Sequence, residues 1–198
     1  MNEAIIDMHQ NARISMEFMT RELKNAYFLD KKDDKTICFY TDSDNNTVIG
    51  TSTGGNALNT LKDTSQSWVA DDWKGVLVAI TAGKGEGQVC EVLENTDKQL
   101  TLCLACPECS WDVTADETSV YRLDVKKKEF ALVDDTLKYQ KGTGDLYPFA
   151  NNISDLCFTV DSTNDAIEIR LVTRSSRKDP KDNEYHTYNL KSTIITRN

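Results

Sequence analysis

EAIIDMHQNARISMEFMTRELKNAYF, residues 3–28, is the stretch on which the reading of this 198-residue chain turns. Ile5, Ala12, Met19 and Ala26 recur every seven residues, and Met8, Ser15 or Met16, and Leu23 fill the slots between them. That alternation of three and four is one apolar stripe of a helix. Asp7, Gln10, Asn11, Arg13, Glu17, Thr20, Arg21, Glu22 and Lys24 make the rest polar, and neither Gly nor Pro interrupts. The pattern predicts an amphipathic helix over 3–28. Its stripe of Ile5, Met8, Ala12, Met16, Met19 and Leu23 is the expected packing and assembly surface. Met19 and Leu23 are expected inside the core, with Ile5 and Met8 more exposed. Met1-Asn2-Glu3 supplies no cap and reads as a start inside a longer helix.

Beyond Asp30 the texture changes. Short runs rich in Val, Ile, Thr, Tyr and Phe follow one another from residues 36–41 to 185–196, bounded by Asp, Asn, Gly and Ser. The expected fold class is therefore α+β, with a long N-terminal amphipathic helix packed on an antiparallel β-sheet and a mostly-β inserted subdomain.

Charge narrows the function classes. Lys and Arg number 23 against 32 Asp and Glu, a formal net charge of -9. Nucleic acid and anionic lipid both select a basic face, so neither is expected as a partner. No apolar run reaches the roughly 18 residues of a membrane span. His9 and His186 are the only histidines and are far apart, which disfavours His-based zinc sites and Ser-His or Cys-His catalysis. No enzymatic activity and no cofactor are expected.

The text of the helix goes further than its period. Met8-His9-Gln10-Asn11-Ala12-Arg13, then Met19-Thr20-Arg21-Glu22-Leu23-Lys24-Asn25-Ala26-Tyr27, resembles the PilW-like minor pilins of type IV pili and the J-type minor pseudopilins of type II secretion. The far end, with residues 153–160, 167–175 and a last strand closing on 196–198, is similar to that family's final strands. The likeness covers residues 4–50 and 126–198. It implies a discontinuous pilin-like head, 1–50 with 126–198, carried on a membrane-anchored helix whose apolar front precedes this sequence. The implied partners are other minor and major pilins or pseudopilins, with the inner membrane reached only through that front. The implied location is the bacterial envelope or an extracellular pilus.

Residues 51–125 read as an insert. Their order of Trp68, Trp73, Val76 to Thr81, Gly83-Lys84-Gly85-Glu86-Gly87-Gln88, Leu100-Thr101-Leu102 and Thr118-Ser119-Val120-Tyr121 resembles a small β barrel or sandwich module of phage-tail and surface proteins. Gly83, Gly85 and Gly87 are expected to make a turn, because no helix follows to hold a phosphate. Asp42, Asp44 and Asn46 match the opening of a calcium loop, but Thr47 stands where Gly belongs and no Glu closes it. Trp68, Trp73 and Trp111 are either the core of the insert or anchors for a surface ligand.

Six cysteines remain. Cys103, Cys106 and Cys109 have cluster-like spacing, yet an iron–sulfur or zinc site would need a fourth ligand such as Cys90. The exported setting that the resemblance implies favours disulfides instead. A turn at 95–98 would set Cys90 opposite Cys103, Cys106 and Cys109 would close a short loop, and Cys38 and Cys157 sit in matching strand contexts. Two other functions stay open beside the pilin class. One is a stand-alone extracellular binding module, for carbohydrate or another ligand; the other is a metal-binding protein using Cys103, Cys106 and Cys109.

Overall fold

The computed structural model describes residues 3–43, 47–107, 109–142, 144–161, 166–181 and 183–196. One helix, α1 (Glu3–Leu23), is followed by β1 (Phe28–Lys31), β2 (Thr36–Asp42), β3 (Val48–Thr51), β4 (Thr60–Lys62), β5 (Leu77–Ala82), β6 (Val89–Asn95) and β7 (Gln99–Leu102). Then come β8 (Val120–Leu123), β9 (Val125–Val133), β10 (Thr136–Lys141), β11 (Tyr147–Asn151), β12 (Ile153–Asp161), β13 (Ala166–Arg174) and β14 (Thr187–Ile195). Among the described residues the chain is mostly β, 46% strand against 11% helix, in three sheets. This overturns the expected α+β class with a long helix laid on one sheet. The helix supplies one stripe to a core that two sheets build, and it stops at Leu23 rather than 28. Its last turn tightens, with Asn25 N donating to Glu22 O and Ala26 N to Leu23 O. Tyr27 N then donates to Tyr40 O and begins strand pairing.

The chain divides into two compact units, Met1–Thr41 with Lys127–Asn198, and Asp42–Lys126. The first contains a five-stranded sheet in the order β1-β2-β9-β10-β11 and a three-stranded sheet β12-β13-β14. Strands β12, β13 and β14 pair antiparallel in sequence order. Alternate residues point to one face of a strand, so Leu156 and Phe158 of β12 and Ile167, Ile169 and Leu171 of β13 enter the core together. Ile37, Phe39, Phe130 and Leu137 come from the larger sheet, and Ala12, Met16, Met19 and Leu23 from α1. Burying a side chain such as Leu23 is worth roughly 2 kcal/mol.

The second unit is a six-stranded sheet in the order β3-β8-β5-β6-β7-β4. Its expected start at residue 51 is too late. Val48 to Thr51 pair with Leu123 to Val120 on β8, so this segment is an edge strand of the second unit and the seam lies at 41/42. Thr53 N donates to Lys62 O at 2.9 Å, so the chain leaving β3 returns to β4 at the opposite end of the sheet order. Leu61, Val78, Ile80, Val92, Leu100, Tyr121 and Leu123 form the core. Gly83 has φ +79 in the β5–β6 turn, where an added Cβ would meet Thr118 O at 1.9 Å, so the turn requires glycine there.

Candidate functional site

Helix α1 has two different sides. Ala4, Met8, Ala12, Ser15, Met16, Met19 and Leu23 are buried. Met8 is only 3% exposed, which corrects the expectation that it lies open; Thr173 Oγ1 donates to its carbonyl at 3.4 Å. Ile5 is half-buried, and the exposed isoleucines are its neighbour Ile6 at 39% and Ile14 at 57%. Ile5, Ile6, His9, Gln10 and Arg13 line a shallow recess of about 250 Å³ on the front of the helix. A second cleft of about 240 Å³ lies among Ala4, Asp7, Gln10, Asn11, Asn152, Arg174 and Ser176. Ile6 and Ile14 did not belong to the stripe that the seven-residue repeat picks out. Their signal in the sequence is that two isoleucines stand among polar residues on the other side.

The histidines serve separate contacts. His9 stacks on Tyr188 with ring centroids 4.2 Å apart. His186 Nε2 lies 2.9 Å from Asp179 Oδ2, and that hydrogen bond, with one from Lys181 N, holds the Asp179 carboxyl below its usual range.

The tryptophans belong to the core of the second unit. Trp111 is 6% exposed and lies within the cluster, while Trp68 and Trp73 are half-buried against it. Beneath Trp68, Tyr121 Oη donates to Asp63 Oδ2 at 2.6 Å, and both residues are fully buried. Burial pushes the Asp63 carboxyl up, but hydrogen bonds from Ser65, Tyr121 and Gln66 outweigh it and hold the group below its ordinary value. Burial, then the bond to Asp63, pushes the Tyr121 phenol up. No part of the sequence reading singled out this pair. Of the calcium-like run, Asp42 pairs with Arg122 at 3.1 Å, whereas Asp44 and Asn46 lie outside the described residues.

The cysteine pairing differs from expectation at every bridge. The disulfides are Cys90–Cys109 and Cys103–Cys106. The first change starts at the β6–β7 turn, where Asn95 pairs with Leu100 instead of standing in the turn, and the bulge between Val92 and Glu94 takes back only part of that shift. Leu102 pairs with Val92 instead of Glu91, so Cys103 does not stand opposite Cys90. Cys38 and Cys157 are free. Cys38 lies on β2, in the five-stranded sheet, where its thiol donates to Glu129 Oε2 at 3.0 Å. Cys157 lies on β12 in the other sheet, opposite Arg170. Their strands are therefore not neighbours. Burial, reinforced by Glu129, pushes the Cys38 thiol up to about 12.

No known family, curated protein or solved structure matches this chain. Among the described residues, no helix is long and apolar enough to cross a membrane, and no group of His, Cys, Asp and Glu is arranged to hold a metal ion.

Proposed function

We propose that this chain is a structural, non-enzymatic subunit, a minor pilin or minor pseudopilin that helps to initiate, cap or decorate a type IV pilus or a type II secretion pseudopilus. The observation that carries the proposal is the outward side of α1, where Ile6 and Ile14 stand exposed opposite a fully committed inner stripe. Apolar side chains gain about 25 cal/mol for each Å² removed from water, and neighbouring subunits are the proposed cover. The segments that resemble the family at the two ends of the sequence also support it, because they share one core. Residues of α1 pack with those of β12, β13 and β14, and His9 meets Tyr188. The proposal rests on this helix and these strands and not on an α+β class.

Two disulfides suit an oxidising compartment, in keeping with a location in the cell envelope or an extracellular pilus. The second unit is then free to offer a surface ligand a binding site, but its tryptophans are spent on its own core.

The test is photo-crosslinking in the native host, with the photoreactive residue placed at Ile14, at Ile6, or at exposed Val69 of the second unit as control. Adducts with pilins or pseudopilins from the two helix positions, and none from Val69, are expected. Deleting the gene then separates the roles, since a pilus subunit lowers piliation and a pseudopilus subunit lowers secretion. Normal piliation and normal secretion in the deletion strain, with no adduct from the helix, would leave the stand-alone binding module as the better reading.

A further inference from the structure

Four of the six cysteines close a ring in the second unit. Cys90 lies on β6, Cys103 directly follows β7, and Cys106 and Cys109 come at the next two turns. Cys103 N donates to Glu91 O, next to Cys90, at 2.9 Å. Cys106 N donates to Cys103 O and Cys109 N to Cys106 O, each at 3.0 Å. Ser110 N donates to Val89 O at 2.8 Å and brings the loop back to β6. The Cα atoms of Cys90 and Cys109 are 4.1 Å apart, those of Cys103 and Cys106 are 5.5 Å apart, and Cys90 Sγ is 3.4 Å from Cys103 O. Each cysteine thus has its disulfide partner on one side and a cysteine of the other disulfide on the other.

We infer that, when both disulfides are reduced, Cys90, Cys103, Cys106 and Cys109 together bind one zinc ion through their four thiolates. Zinc takes four thiolates in a tetrahedron with Zn–S near 2.3 Å, which sets the sulfurs about 3.8 Å apart. A disulfide holds them about 2.0 Å apart. The difference is within reach of side-chain rotation about a backbone ring already fixed by the four hydrogen bonds above. The Cys-x2-Cys-x2-Cys run has the short spacing found in zinc knuckles, and Cys90 supplies the ligand that the run lacks. In the oxidised chain the sulfurs are bonded to each other, so the site exists only after reduction.

The chemistry balances with an external dithiol as reductant. Two dithiols transfer four electrons and four protons, both S–S bonds break, and each dithiol leaves as a disulfide. Zinc then displaces four protons from the four thiols. Six cysteines can pair in fifteen ways. Zinc held by a newly made, reduced chain would keep these four together and away from Cys38 and Cys157 until oxidation. This inference is independent of the pilin proposal.

Cobalt(II) titration of the full chain, reduced anaerobically with a phosphine, tests it. One cobalt per chain with the visible bands of tetrahedral thiolate ligation is expected, and one equivalent of zinc should abolish the bands. The C38S/C157S variant should bind as the parent does, C103S/C106S should lose the bands, and the oxidised chain should bind none. Should reduction loosen the second unit, zinc should restore its circular dichroism. Absence of tetrahedral bands, their survival in C103S/C106S or in the oxidised chain, or a reduced unit that stays unfolded with zinc would each overturn the inference.

Discussion

Tyr121 Oη donates a 2.6 Å hydrogen bond to Asp63 Oδ2 inside the second unit, joining strand β8 to the residue that follows β4. The carboxylate also accepts from Ser65 N, Ser65 Oγ and Gln66 Nε2. Gly50 leaves room for the pair, since a Cβ there would lie 2.2 Å from Tyr121 Oη and 2.7 Å from Asp63 Oδ2. A hydrogen bond to a charged group is worth about 1.5–3 kcal/mol. Tyr121→Phe should destabilise the second unit by that amount in urea melts, and Gly50→Ala should cost at least as much by forcing the pair apart. The acid side follows from the same bonds. Because the folded carboxyl titrates below its unfolded value, its contribution is complete above the unfolded value and is lost as pH falls through the folded one. Asp63→Asn should flatten that part of the acid unfolding curve.

In the first unit, Lys128 Nζ lies 2.8 Å from Glu22 Oε2, with the two side chains only 10% and 16% exposed. Tyr139 Oη donates to the same carboxylate oxygen at 3.3 Å. Removing one member of a buried pair strands the other charge and typically costs about 3–5 kcal/mol. Lys128→Met should therefore lower the stability of the first unit by about 3 kcal/mol, while the double variant Lys128→Met with Glu22→Leu should recover much of the loss. A double-mutant cycle in chemical denaturation reads this directly.

Cys38 predicts an alkaline effect. Its thiol is held neutral in the fold, with a pKa raised from 9.0 to about 12. The unfolded chain releases that proton first as pH rises, so the native state binds more protons between those values and stability falls with pH. Stability should decline from about pH 9 to 12 in the parent and less steeply in Cys38→Ser, measured by denaturation across that range. At pH 8 native Cys38 should resist alkylation, whereas partly exposed Cys157 should react first.

Strands and turns were legible because their signal is local. Period-two runs mark β12 and β13, and Gly83 marks a turn whose crowding only glycine tolerates. What the sequence concealed depends on partners distant in the chain. Val48 to Gly50 fall within the expected 1–50 segment of the head, and β8, far along the chain, makes them a strand of the second unit. Asn95 pairs with Leu100 instead of lying in the turn, and this shift of the β6–β7 register, only partly reversed by the bulge beside Leu93, undoes the Cys90–Cys103 pairing inferred from counting. Phe18 lies off the seven-residue stripe, yet its ring packs on Phe130, Tyr139 and Phe149 at 5.6, 5.0 and 4.4 Å. The helix has the clearest text in the chain, and that clarity gave it too much weight in the fold class. A single stripe cannot reveal that two sheets share the core it enters.

The two disulfides should contribute unequally. Cys90 and Cys109 are separated by 19 residues and tie β6 to the loop before Trp111, whereas Cys103 and Cys106 are separated by three. Loop-closure entropy assigns about 3 kcal/mol to the longer loop and about 2 kcal/mol to the shorter. Packing widens the gap, because Cys90 is fully buried in the cluster with Trp111, Val92 and Leu100 while Cys103 and Cys106 are half-buried. In the oxidised protein, Cys90→Ala with Cys109→Ala should therefore destabilise the second unit more than Cys103→Ala with Cys106→Ala. Thermal melts followed through tryptophan emission report on that unit, since Trp68, Trp73 and Trp111 all lie in or against its core. Equal losses in the two variants would mean that the longer bridge adds nothing to what the β-sheet already holds.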